Sequence, residues 1–209
     1  MSVQIWLAYC SAAIAISLSP GPGAVASMTA GLRNGFMRGY GVVLGLQLGI
    51  IALFLVAASG IGALLASSPR AFALLRWSGV AYLVWLGLAQ WRAKRAVFPT
   101  GSMQPAFPEP LRTLLLRGFL VNISNPKGLL FLLAVTPQFI DATQPLALQY
   151  FTLAATTLSV DMTIMAGYTL LPLRIATLFA SPDRVRWLNR ALGLLFLLMA
   201  ASLATFHRQ

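Results

Sequence analysis

Asp161 is the residue whose chemistry stands out first. Of the four acidic residues, Glu109, Asp141 and Asp183 fall between apolar runs, whereas Asp161 lies inside one, Leu146–Leu171. Counted from Leu146 it sits roughly 22 Å along a helix that rises about 1.5 Å per residue. A carboxylate at that depth in hydrocarbon costs about 2.5–3.5 kcal/mol on insertion scales and by default marks a functional site with a partner. The partner expected from the sequence is Lys127, the only basic residue deep in an apolar segment, roughly 24 Å from Leu111 by the same rise. Two roles are open to such a pair. It can be a structural ion pair that locks two segments together, or it can line a path for substrate or protons. Thr157, Asp161, Met165 and Tyr168 recur at intervals of three and four and form a mixed polar stripe on one helix face. Gln47, inside another apolar run, either lines the same path or bonds to a neighbouring helix.

Two interruptions of apolar runs must position these groups. Ser19-Pro20-Gly21-Pro22-Gly23 divides the first run, and Asn125-Pro126-Lys127 divides a later one. Prolines remove backbone donors and push the preceding residues away from helical geometry. In a bilayer, backbone freed in this way survives only where protein or a water-filled cavity satisfies it. Pro22 and Pro126 each suit the first turn of a half-helix, whose unpaired amides make a partial positive pole for a carboxylate, while Asp161 takes an ammonium or carries a coupling proton. The competing reading is that the prolines only kink two long helices. Interrupted segments in both halves of a chain are the pattern of a transporter binding site. Ser19, Pro20, Gly21, Pro22, Gln47, Asn125, Pro126, Lys127, Asp161 and Tyr168 are therefore the expected substrate and ion path.

The elements that carry these residues are membrane spans. A chain of 209 residues that is 58% hydrophobic and 9% charged, with mean hydropathy +0.80, exceeds what one soluble core can hide. Six apolar segments are readable: Val3–Leu32 with its break, Gly39–Leu65, Ala71–Trp91, Leu111–Ile140 with its break, Leu146–Leu171 and Trp187–Phe206. Phe98–Pro110 is too rich in proline for regular structure and reads as a linker between halves. The expected fold is thus all-α and integral to the membrane. Its six transmembrane helices form two inverted three-helix repeats, residues 1–92 and 111–209, joined by a cytoplasmic linker at 93–110, with helices one and four broken.

The basic residues, 15 against 4 acidic, cluster between apolar runs as topology signals do, which argues against a nucleic-acid partner. Arg33, Arg38, Arg92, Lys94, Arg95, Arg112, Arg117, Arg174, Arg184, Arg186 and Arg190 flank one side, against Arg70, Arg76 and Arg208 on the other. This puts the loops after segments one, three and five in the cytoplasm and both termini outside. A cleaved signal peptide ending near Ala24-Val25-Ala26 is the alternative for the first segment, but no Lys or Arg precedes its apolar stretch. Gly41, Gly45 and Gly49 make a flat helix face suited to close packing within the chain, and equally to a homodimer. Cys10 is a single cysteine, so no intrachain disulfide forms.

Catalysis lacks its ingredients. The sequence holds no phosphate-binding G-x-x-x-x-G-K-[ST] loop, no metal-ligand cluster and no nucleophile–base pair, and its one histidine, His207, lies in the C-terminal tail. Neither a metal nor another cofactor is expected. An ion gradient remains as the energy source, since 100 mV is worth about 2.3 kcal/mol per elementary charge. A passive channel for small zwitterions and a non-transporting membrane scaffold are the alternatives.

Ser19-Pro20-Gly21-Pro22, the glycines from Gly41 to Gly49, Ala81–Gly87, Asn122–Lys127 and Pro137–Ile140 resemble, in order and across nearly the whole chain, the LysE/RhtB family of bacterial amino-acid exporters. With Ser159–Met162 and Tyr168, the likeness is greatest to the branch that exports homoserine and homoserine lactone. The resemblance implies six helices in the bacterial inner membrane and export of a small amino acid in exchange for protons.

Overall fold

A computed structural model of the chain describes residues 1–67, 69–92, 109–141, 143–172 and 181–205. The expected linker Phe98–Pro110 lies outside this set up to residue 108, as do Lys94, Arg95, Arg174, His207 and Arg208. Regular structure among the described residues is helical throughout. The elements are α1 Val3–Leu18, α2 Pro22–Ser67, α3 Pro69–Arg92, α4 Leu111–Ile123 and α5 Pro126–Leu130, then a π-helical turn Phe131–Val135 and a 3-10 turn Thr136–Phe139, then α6 Leu146–Leu170 and α7 Pro182–Thr205.

Helix ends follow from local chemistry. Ser2 caps α1 by accepting the Ile5 amide at 3.3 Å. The same helix stops at Leu18 because Pro20 and Pro22 cannot donate to the carbonyls four residues back, those of Ile16 and Leu18. Pro126 withholds the amide that Asn122 O would have received, and the Asn125 amide takes that carbonyl instead at 3.0 Å. Asn125 then starts α5 as its cap, its side chain accepting the Lys127 amide at 3.1 Å.

Three boundaries differ from the sequence expectation. The six residues between Leu32 and Gly39 are not a loop: helix continues to Asn34, Gly35 adopts φ 70 and ψ 172, and helix resumes at Phe36. Positive φ with so extended a ψ is almost confined to glycine, so a single residue makes the reversal. A Cβ on Gly39 would meet Ala30, and one on Gly23 would meet Leu46, so the two arms of α2 lie antiparallel. The fourth apolar segment is broken repeatedly rather than once, since α5 lasts five residues before the π and 3-10 turns. The sixth starts at Pro182, ahead of Trp187.

Close contacts give the helix directions. The second arm of α2 runs parallel to α4, Gly41 facing Leu111, Gly45 facing Leu115 and Gly49 facing Asn122. A Cβ on Gly118 would fall 2.0 Å from Val42 O and one on Gly45 2.1 Å from Leu115 O, so the glycine face serves packing of backbone on backbone within the chain. Helix α6 runs parallel to α1 and the first arm of α2, with Tyr9 opposite Thr157, Ser17 opposite Asp161 and Ser27 opposite Met165. Helices α3 and α7 are antiparallel, Gly87 against Gly193 and Gln90 bonded to Asn189 at 3.0 Å.

One buried cluster, containing Tyr9, Leu83, Phe131, Leu153 and Phe196, joins α1, α3, α6, α7 and the irregular turns. A second, containing Met28, Val42, Leu46, Leu114 and Tyr168, joins α2, α4 and α6. Leu55, Leu74, Trp85, Leu116, Phe151 and Leu198 are more than half exposed, an apolar exterior suited to lipid contact. The stretch Pro22–Ala58 is long and apolar enough to cross a membrane by length and composition, with mean hydropathy 2.5. Gly35 divides that stretch, leaving Phe36–Ala58 as its uninterrupted arm.

Candidate functional site

The two breaks and the embedded acid border one cavity of about 70 Å³. Its walls come from the end of α1 (Ile16, Ser17), the break itself (Ser19, Gly21), α2 (Gly23, Ala24, Leu46, Ile50), the second break (Asn122, Asn125, Lys127) and α6 (Thr157, Asp161, Met165). Such a volume holds a few waters. A larger solute enters only if the walls move.

Asp161 is buried on the α6 face of this cavity, and each carboxylate oxygen has a donor. Ser17 donates to Oδ1 at 2.9 Å and Gln47 Nε2 to Oδ2 at 2.8 Å. Gln47 itself is buried, and its Oε1 has no partner among the described residues.

The expected ion pair between Lys127 and Asp161 is not formed. Among the described residues the close ion pairs are Arg117–Glu109 and Arg186–Asp183. Lys127 instead donates from Nζ to Ile16 O at 2.8 Å and Ser19 O at 2.6 Å. The reason lies in the break. Ile16 O is the carbonyl that Pro20 leaves without a helical donor, and Ser19 is a cap residue outside the ladder, at φ −67 and ψ 115. A buried carbonyl without a partner costs about 1–3 kcal/mol, and a charged donor beside two of them satisfies both. Tyr168 does the same for the carbonyl stranded by Pro22, donating its hydroxyl to Leu18 O at 3.0 Å.

A plug lies behind the cavity on the side of the α1 N-terminus. Tyr9, fully buried, shares a 2.7 Å hydrogen bond with Thr157 Oγ1 and a 3.4 Å one with Thr136 Oγ1. Its ring packs against Phe139 at 5.2 Å and Phe131 at 6.0 Å between centroids. Tyr82 donates to Lys127 O at 2.9 Å and ties α3 to α5.

Ser19, Gly21, Asn125, Lys127 and Asp161 of the expected path therefore line one cavity, and Gln47 and Tyr168 bond to groups at its edge. Pro20 and Pro22 act through the donors they lack, and Pro126 opens α5. Sequence reasoning missed Ser17, Asn122 and Tyr9. Ser17 and Tyr9 are polar groups inside the first apolar run, the same signal that singled out Gln47. Asn122, whose Oδ1 is buried without a partner among the described residues, stands one turn before Pro126 on the cavity wall.

The chain matches the family model described as LysE type translocator over residues 14–206. It is 40% identical over 205 residues to the homoserine/homoserine lactone efflux protein of Salmonella typhimurium, covering 98% of each chain. It is 38% identical to an uncharacterized membrane protein of Vibrio cholerae, again over 98% of each. The leucine efflux protein of Enterobacter sp. shares 29% over 202 residues, 95% of this chain and 94% of that one. No solved structure matches. With the family model covering most of its length, the protein belongs to the LysE type translocators, a transporter family rather than a family of enzymes.

Proposed function

We propose that the protein is a secondary exporter of small amino acids or their derivatives, of the homoserine, homoserine lactone or threonine kind, working from the bacterial inner membrane by proton exchange. The observation that carries this reading is the single cavity bordered by both helix breaks and Asp161. A zwitterion has a complementary partner for each end there: Asp161 for its ammonium, and the Lys127 ammonium with the first-turn amides of α2 for its carboxylate. The relatives named for efflux of homoserine, its lactone and leucine support the solute class. Asp161 is the group proposed to carry the proton, because it is a carboxylate within the lipid span that a solute's ammonium would also approach.

Alternating access between two inverted halves, residues 1–92 and 111–209, is the proposed architecture, with six spans and both termini on the periplasmic side. The parallel run of α2 against α4 and the parallel run of α1 against α6 support it, since alternate spans must point the same way. A passive pore is less well supported. The buried Tyr9, Phe131 and Phe139 cluster closes the cavity behind Thr157.

The test is reconstitution in liposomes with labelled homoserine, homoserine lactone, threonine and leucine, with and without an imposed proton gradient. Uptake or efflux that follows the gradient supports the reading. Downhill flux indifferent to pH would indicate a channel, and no flux of any solute a scaffold.

A further inference from the structure

The end of α1 has the chemistry of a cation site. A helix C-terminus exposes carbonyls without donors and carries the negative end of the peptide dipoles, and unwound carbonyls of this kind hold the coupling cation in transporters with discontinuous helices. Here Ile16 O and Ser19 O converge on one point at 2.8 and 2.6 Å, and the group at that point is the Lys127 ammonium, brought from the second break on the opposite wall. These distances are those of charge-assisted hydrogen bonds. Lys127 is not neutralised by Asp161, whose two oxygens are engaged by Ser17 and Gln47. Its only bonded counterparts at Nζ among the described residues are those carbonyls.

We propose that the carbonyl cradle where α1 stops is a monovalent-cation site whose occupant is the protein's own Lys127, standing where a sodium or potassium ion would otherwise be required. The two breaks are thereby joined through one tethered ammonium, so export needs no alkali cation, and removing the side chain opens a vacancy that a small primary ammonium fills. This rests on the exporter reading for its transport arm. The cradle itself is tested by binding alone.

The experiment uses purified full-length protein, wild type, Lys127→Ala and Lys127→Met, in liposomes whose only added cation is sodium, potassium or N-methylglucamine, with a labelled amino acid that the wild type moves. Wild-type rates should agree within about twofold in the three salts, and both variants should lose at least about tenfold in N-methylglucamine, the size expected for losing a charged donor to two buried carbonyls. Ethylammonium should restore Lys127→Ala, while ethanol, of similar size and no charge, should not. In parallel, ethylammonium should raise the thermal midpoint of detergent-solubilised Lys127→Ala and leave the wild type unmoved. A wild type that requires sodium or potassium overturns the proposal. So does Lys127→Met transporting like wild type, or ethylammonium without effect on the midpoint of Lys127→Ala. If alanine at this position does not assemble, Lys127→Met, which keeps the apolar stem, decides by its rate. If the wild type moves no solute, the exporter reading fails, and the midpoint shift still accepts or rejects the cradle.

Discussion

Tyr168 donates its hydroxyl to Leu18 O at 3.0 Å across a sequence separation of 150 residues, and that carbonyl is the one Pro22 leaves without a helical donor. The bond fastens the ragged end of α1 to the last turns of α6. Replacing Tyr168 with Phe keeps the ring within its cluster and strands the carbonyl, so stability should fall by about 1–3 kcal/mol. Thermal unfolding in detergent measures this. A Tyr168→Phe protein as stable as wild type would mean that water reaches Leu18 O.

Asp161→Asn keeps the size of the side chain and removes its charge. Ser17 can still donate to the amide oxygen, while Gln47 must reorient, so the fold should persist. Proton-driven export from loaded vesicles is expected to fall at least about tenfold, because the group proposed to exchange a proton is gone. Undiminished pH-dependent flux in this variant would reduce Asp161 to a packing role.

Gly35→Ala addresses the reversal in α2. Nothing lies within 4 Å of where its Cβ would stand, so crowding is not the obstacle. The obstacle is the backbone itself, at φ 70 and ψ 172, and a side chain there should cost about 1–3 kcal/mol. Gly39→Ala is the contrasting case, because its Cβ would collide with Ala30 backbone at 2.8 Å. Equal unfolding midpoints for Gly35→Ala and wild type would show that the turn relaxes to negative φ.

Glu109 precedes α4 outside the apolar runs. It accepts from Arg117 Nη1 at 3.0 Å, while its amide donates to Asn34 on the reversal of α2 at 2.9 Å. The Arg117 hydrogen bond holds its carboxyl below the ordinary value, with the charges of Arg117 and Arg33 adding to the shift and partial burial opposing it. A depressed carboxyl contributes stability above the ordinary carboxylate range and loses it as the pH falls through the lowered value. Because Arg117 and Glu109 are 38% and 20% exposed, screening limits the pair to under about 1 kcal/mol. Glu109→Gln should therefore lower the midpoint slightly at neutral pH and hardly at all in acid or high salt. An equal loss at every pH would assign the effect to packing.

Much of this arrangement is legible in the sequence, because proline's chemistry is positional. Pro20, Pro22 and Pro126 mark where carbonyls lose their donors, and Asp161 announces itself by depth alone. What the sequence does not disclose is which distant group meets each stranded carbonyl. Charge suggests Lys127 with Asp161, yet the backbone oxygens of Ile16 and Ser19 take the ammonium, a match that depends on how α1 and α5 approach in space. Asn34-Gly35 is a turn dipeptide, overlooked because the flanking arginines already suggested a loop of ordinary length. The π turn at Phe131–Val135 leaves no trace in the apolar run Phe-Leu-Leu-Ala-Val, since helices of either pitch tolerate those residues.

That wide turn has a consequence for how the chain tolerates editing. A π turn holds about one residue more than an α turn, and here it delivers Thr136 to within 3.4 Å of the Tyr9 hydroxyl. Deleting one residue between Phe131 and Val135 would let ordinary helix close the gap and swing everything after it by about 100° around the axis, carrying Thr136 away from Tyr9. A one-residue deletion in a uniformly apolar stretch, harmless by hydropathy, should thus unseat the plug. Cysteine labelling of the cavity from the periplasmic side, in a Cys10→Ser background, would register it as newly gained access.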